Sequence, residues 1–256
     1  YLSSMNKDIA RQLDEAAQHA VSVPQVAAAH NINLEEAYKI QRLSMGRRYQ
    51  RGEQSIGVKL GFTSRAKMEQ MGVSDMIWGW LTDSMLYQDT DTLSLHKFIH
   101  PRAEPEVCYI VSKEINKALS LDEAKDHIGS LAVAIEIIDS RFQNFKFSLE
   151  DVVADNCSST ALVIGEKLPI DTNLSNVSMQ LVINGEVRQF GNTDAILGNP
   201  WESVVAASRL VAKSGLTLPE GSLIMAGAAT AAEYLKSGDH VEAVLGENHK
   251  VNLLAK

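Results

Sequence analysis

The stretch Leu131-Ala-Val-Ala-Ile-Glu136-Ile-Ile138 is a run of apolar residues, half of them β-branched, broken by a single carboxylate. Such a run fits a strand buried on both faces. An ionised glutamate in its middle costs several kcal/mol unless a cation or a metal neutralises it. The nearest similar anomaly upstream is Glu104-Pro105-Glu106. Residues two apart on a strand share a face, and Pro105 biases Glu104 toward extended backbone. Three glutamates without a histidine or cysteine beside them form a hard-oxygen set suited to Mg²⁺ or Mn²⁺. The other reading is that Glu104 and Glu106 are solvated edge residues and that Glu136 pairs with Arg141 or a lysine.

Outward from that core, the N-terminal part reads as helical. Residues 5–30 are rich in alanine and charge. Asn33 resembles an N-cap, with Glu36 three residues on, and opens a helix stopping near Gly52. A short strand over 55–62 carries Lys59 in its middle, and a short helix is expected over 65–71. Strand periodicity takes over near residue 84. Runs at 106–112 and 131–139 read as strands, and Asn184-Gly185 between 178–183 and 186–190 is a hairpin signal. A helix follows Pro200 and ends before Gly215. Two last strands are expected over 222–226 and 240–245. Strands and helices do not alternate regularly, so the class is α+β, with residues 5–80 mainly helical and 81–256 a mixed or antiparallel sheet system.

The 256 residues, 45% hydrophobic and 22% charged, suffice for a sizeable core. The 32 acidic residues against 24 basic ones, with no basic stripe, argue against nucleic acid as a partner. Cys108 and Cys157 are too few and too isolated for a disulfide framework or a zinc site. No apolar run reaches membrane-spanning length and none reads as a signal peptide. A cytoplasmic setting is expected, and residues 1–4, ahead of Met5, are set aside as extraneous.

The segment from Ile135 through Asp139-Ser-Arg-Phe-Gln-Asn-Phe-Lys-Phe147, continued by Val152-Val-Ala-Asp-Asn-Cys-Ser-Ser-Thr160, closely resembles the fumarylacetoacetate hydrolase-like superfamily. Within it the chain is similar to the hydratase/decarboxylase branch of aromatic meta-cleavage pathways. Gly57-Val-Lys-Leu-Gly-Phe-Thr-Ser64, Lys67-Met-Glu-Gln-Met-Gly-Val73, His100-Pro-Arg-Ala-Glu-Pro-Glu106 and Ala195-Ile-Leu-Gly-Asn-Pro200 match in order. The resemblance implies a β-roll catalytic domain, Glu104, Glu106 and Glu136 as ligands of Mg²⁺ (or Mn²⁺), and Lys59 as a catalytic residue that orients substrate or offsets its charge.

It further implies decarboxylation of 2-oxohex-3-enedioate to 2-hydroxypenta-2,4-dienoate, with hydration of that dienoate as the alternative. Hydratases of the branch carry an acid where this chain has Ile77, and Asp75 is the nearest substitute. Ser158 and Ser159 are expected to hydrogen-bond a substrate carboxylate or to serve as loop hydroxyls. Arg141 and Asp155 are expected behind the site, Asp155 otherwise closing a helix. The expected partners are a small 2-oxo dicarboxylate and either a homo-oligomer or a complex with the pathway hydratase. Pro105, Asn199 and Ala226 depart from the family pattern, the last two as pocket changes. A C–C hydrolase with a histidine beside the metal, or a non-catalytic cation site, are the readings from other classes.

Overall fold

The computed structural model describes residues 3–64, 68–69 and 75–256. The motif at 67–73 and the helix expected over 65–71 fall outside them, apart from Met68 and Glu69.

The chain opens with α1 (Ser4–His19), α2 (Ala27–His30) and α3 (Leu34–Gln50). The helix expected over 5–30 is divided in two. Ala20 takes a left-handed φ of 53°, and Val23, ahead of Pro24, leaves the helix to pair its backbone with the chain at Arg141 and Gln143. Ser3, set aside from the sequence, is the N-cap of α1, its Oγ accepting from the Asn6 amide at 3.1 Å. Asn33 caps α3 as expected, accepting from the Glu36 amide at 2.9 Å. Asp14 of α1 joins the two long helices by accepting from Arg47 Nε at 2.8 Å and from both Nη atoms of Arg51 at 2.7 and 2.8 Å.

The strands follow as β1 (Ser55–Gly61), β2 (Ile77–Thr82), β3 (Leu86–Gln88), β4 (Thr92–Leu93) and β5 (Arg102–Val111). After α4 (Leu121–His127) comes the long β6 (Ile128–Ile138), then α5 (Leu149–Ala154), β7 (Ser159–Ile164) and the hairpin β8 (Ser178–Ile183) and β9 (Glu186–Asn192). The hairpin turn has positive φ at both Asn184 (54°) and Gly185 (78°), the primed-turn geometry its sequence calls for. The chain closes with α6 (Trp201–Lys213), β10 (Leu223–Ala228), β11 (Glu233–Tyr234), β12 (His240–Leu245) and β13 (His249–Ala255). β13 lies beyond the last strand expected from the sequence.

An eight-stranded sheet runs β2-β1-β10-β5-β6-β7-β3, with β11 also on β5, and a five-stranded sheet runs β4-β13-β12-β8-β9. Both are mixed: β1 is parallel to β10, β3 to β7 and β4 to β13. β1 lies before residue 81 and β2 crosses it, so the N-terminal stretch supplies one strand and most of a second to the large sheet. That sheet curls, and Leu81, Cys108, Ala134, Leu162 and Met225 meet on its inner face. Edge strand β2 is held by the Asn156 side chain, which accepts from the Trp80 amide at 2.8 Å and donates to the Trp80 carbonyl at 2.9 Å. The primary amide thus substitutes for a neighbouring strand. Among the described residues no helix is long and apolar enough to cross a membrane.

Candidate metal centre

Glu136 sits near the C-terminal end of β6, opposite Glu104 of β5, and Glu106 stands opposite Ala134 one step along the same face. One carboxylate oxygen from each of the three lies within 4.8 Å of the other two. Glu106 and Glu136 are 1% and 0% exposed, so neither is a solvated edge residue. Burial pushes the Glu106 carboxyl well above the usual carboxylate range, and the negative Glu136 and Glu104 push it further, against the pull of Lys59.

Pro105 is tolerated between these glutamates because of a bulge. Its carbonyl accepts from the Ala229 amide on the β10 side of β5. A residue's N–H would face the same edge, where the β5–β10 register slips between Met225 and Ala228. The same bulge turns the Gly227 amide onto Glu106 Oε2 at 3.1 Å. Gly227 has a φ of 106°, and a Cβ there would lie 2.3 Å from the Thr63 side chain, so only glycine fits.

Lys59 points into the same interior from β1. Its Nζ lies 2.8 Å from Glu136 Oε2 and donates to the Cys157 carbonyl at 2.6 Å. Burial opposes the ammonium, but the fields of Glu136 and Glu104 outweigh it and hold the lysine charged. The Cys157 carbonyl is aimed by an unusual turn: Asn156, Cys157 and Ser158 have φ of 51°, 53° and 59°. Three successive non-glycine residues in the left-handed region store about 1–2 kcal/mol each. The turn is held from all sides. Ser159 Oγ donates to the Asn156 carbonyl at 2.6 Å and Cys157 Sγ to the Trp78 carbonyl at 3.1 Å.

Arg141 and Asp155 lie behind this turn. Arg141 Nε donates to Asp155 Oδ1 at 2.7 Å, and Nη2 reaches the carbonyls of Asp155 and Ser159 at 3.0 and 3.2 Å. Arg141 therefore does not pair with Glu136. Ser158 is buried within the turn, and its carbonyl accepts from the Asp139 amide. The Ser159 hydroxyl proton is committed to Asn156, and the side chain is pressed toward Gly79, where a Cβ would lie 2.9 Å from it. Ile77 is 3% exposed and two residues from Gly79, which pairs with Lys59, so it shares the lysine's face. Asp75, the nearest acid, is held in a two-pronged pair with Arg209 at 2.7 and 3.0 Å. Asn199 caps the start of α6 through the Trp201 amide and lines a cavity of 420 Å³ that none of the three glutamates lines. Its change from the family pattern thus falls both at a helix start and on the wall of that cavity.

The donor set fits a hard divalent cation. Three carboxylates, those of Glu106 and Glu136 buried and that of Glu104 half-buried, face one ammonium, and Glu136 Oε1 is buried with no hydrogen-bond donor among the described residues. A buried carboxylate oxygen left without a donor is costly, and a cation among the three glutamates removes that cost. Both cysteines are free and buried, and among the described residues no histidine or cysteine joins the cluster.

Residues 54–251 match the model of the fumarylacetoacetate hydrolase C-terminal family. The chain is 46% identical over 230 residues to a 4-oxalocrotonate decarboxylase of Pseudomonas sp., covering 90% of each chain. It is 32% identical over 215 residues to a 2-keto-4-pentenoate hydratase of Paraburkholderia xenovorans, covering 83% of this chain and 80% of that one. Its structure superposes with a TM-score of 0.95 on the 4-oxalocrotonate decarboxylase of Pseudomonas putida G7 complexed with magnesium and adipate, at 30% identity, covering 100% and 99% of the two chains.

Proposed function

The chain belongs to the fumarylacetoacetate hydrolase family, and from that membership we propose that it decarboxylates 2-oxohex-3-enedioate (4-oxalocrotonate) to 2-hydroxypenta-2,4-dienoate and CO₂ in aromatic meta-cleavage catabolism. One observation carries the reading: a largely buried three-glutamate cluster is set against Lys59, with the apolar Ile77 on the lysine's face. Glu104, Glu106 and Glu136 would hold a Mg²⁺ or Mn²⁺ ion. When bound, that ion supplies Lewis acidity at the carboxylate and 2-oxo end of the substrate.

The chain's own groups supply the rest. As the C5–C6 bond breaks, its electron pair passes through the C3–C4 double bond to the 2-oxygen, and a proton taken up there completes the dienol. Three carboxylates and a divalent ion leave the site with one negative charge, so a dianionic substrate needs a cation close by. Lys59, kept charged at the wall of the site, offsets that repulsion. The left-handed turn at 156–158, braced by Arg141 and Asp155, fixes the lysine in place. Ile77 keeps the pocket dry and offers no acid to activate water.

Hydration of the dienoate, in line with the 32% identical 2-keto-4-pentenoate hydratase, is the alternative. It is disfavoured because Asp75 is committed to Arg209. A hydrolase reading lacks its histidine: His100 Nε2 lies 2.7 Å from the Ser140 carbonyl and does not join the glutamates. A cytoplasmic setting, and a homo-oligomer or a complex with the pathway hydratase, belong to the same proposal. Val187 and Phe190, 51% and 69% exposed on edge strand β9, offer apolar surface for such a contact. In the deciding assay the Mg²⁺-loaded enzyme releases one CO₂ per diacid consumed and leaves the dienol unhydrated. Rapid hydration of the dienol without CO₂ from the diacid replaces this reading with the alternative.

A further inference from the structure

We propose that Arg102 binds the distal carboxylate of the dicarboxylate substrate and so sets the preference for a diacid; this rests on the 2-oxo dicarboxylate reading above. Lys59 is committed to Glu136 and Cys157, so a second cation is needed for the far end of the substrate. Arg102 is placed for it. It begins β5, two residues before Glu104, and therefore shares the face of Glu104 and Glu106. Two residues of strand advance about 6.6–6.8 Å, the scale of an extended six-carbon diacid. A substrate with its 2-oxo end among the glutamates can reach Arg102 with its other end.

The guanidinium is also built as a presented group. Its central carbon lies 3.8 Å from the Phe145 ring centroid and 4.1 Å from that of Tyr234, so it is held in the corner between two rings set at 89° to one another. Phe145 is brought there by consecutive left-handed residues, Asn144 at φ 60° and Phe145 at φ 54°. Nη2 donates to the Tyr234 hydroxyl. Nε is buried with no hydrogen-bond partner among the described residues, and no ion pair among them involves Arg102. A cation held by two rings, with donors to spare, matches the planar two-oxygen geometry of a carboxylate.

Calorimetric binding to the Mg²⁺-loaded protein tests this with two probes of equal length, 2-oxoadipate and 2-oxohexanoate. The wild type is expected to favour the diacid. Arg102→Met, which keeps the aliphatic stem, is expected to weaken 2-oxoadipate at least about 10-fold and to leave 2-oxohexanoate within about 2-fold. Arg102→Lys is expected to restore part of the preference. Tyr234→Leu, at a 52% exposed site, leaves the charge but loosens it, and is expected to weaken the diacid less. Because each variant is read as a ratio between two ligands, a folding defect does not imitate the result. A diacid preference kept by Arg102→Met overturns the role of Arg102 while the decarboxylase reading stands. A wild type with no diacid preference and no CO₂ release overturns both.

Discussion

Lys59 and Glu136 meet across the inside of the rolled sheet, Nζ 2.8 Å from Oε2, although their strands β1 and β6 are separated by β10 and β5. The contact exists only because the sheet curls, so it couples closure of the roll to the charge of the site. Removing one partner of a buried pair leaves the other uncompensated, at about 3–5 kcal/mol. Lys59→Met is therefore expected to destabilise the metal-free protein and to lower kcat/KM at least about tenfold, equivalent to about 1.4 kcal/mol. Mg²⁺ affinity is expected to hold or rise, since a neighbouring cation is gone. Steady-state kinetics and calorimetric Mg²⁺ titration check this. An unchanged kcat/KM would make the lysine purely structural.

The glutamate cluster predicts a stability signature separate from turnover. A ligand that binds only the folded state raises the melting temperature in proportion to the logarithm of its concentration. Mg²⁺ or Mn²⁺ should raise the wild-type melting temperature, and EDTA should reverse the rise and abolish CO₂ release. Glu106→Gln and Glu136→Gln should each blunt the metal-induced rise, because each exchanges an anionic ligand for a neutral one. Full activity after exhaustive chelation, with no residual metal by elemental analysis, would remove the metal from the mechanism.

Asp14 ties α1 to α3 and gives a pH prediction away from the site. Burial acts to raise its carboxyl, but hydrogen bonds from Arg51 and Arg47 outweigh it and hold it below its ordinary value. A carboxyl lowered by folding contributes stability that is present above the unfolded value of about 3.9 and is lost as pH falls through the folded one. Asp14→Asn should cost about 2 kcal/mol at pH 7, roughly 4–8 °C in melting temperature for a chain of this size. The gap to wild type should close below about pH 3.9. A gap that is unchanged at low pH would show that packing, not charge, is what the substitution removes.

What the sequence disclosed follows from where physical rules are local. A carboxylate in an apolar strand stands out in any sequence, and so Glu136, Glu104 and Glu106 were visible before their convergence was. The Asn184-Gly185 hairpin and the Asn33 cap are short-range signals and fall where expected. The backbone partners of Lys59 and Glu106 were not visible. The Cys157 carbonyl and the Gly227 amide are backbone atoms aimed by a left-handed turn and a β-bulge, and neither has a side-chain signature, although Gly227 hints at close approach. Asp75 looked available as an acid because its partner, Arg209, lies 134 residues away. Ser159 looked like a substrate donor because the fold, not the sequence, spends its proton on Asn156.

On the proposed reading, Ile77 is the position that separates decarboxylation from hydration. It is 3% exposed, packed with Phe142, Val153 and Cys157, on the face of β2 that pairs toward Lys59. An apolar side chain there cannot hold a water for addition near C4. An aspartate in the same place would bring a proton acceptor into the site, with its own charge disfavoured by burial. Ile77→Asp is expected to lower CO₂ release at least about tenfold, about 1.4 kcal/mol, and to introduce slow conversion of 2-hydroxypenta-2,4-dienoate to 4-hydroxy-2-oxopentanoate. Ile77→Asn gives similar size and polarity without the titrating group, and should lose decarboxylation without gaining hydration. Coupled measurement of CO₂ and of the hydroxy-oxo acid on both variants, each first shown to keep its Mg²⁺-induced rise in melting temperature, reads the outcome. If Ile77→Asp decarboxylates as fast as wild type, a dry wall at residue 77 has no part in choosing the reaction.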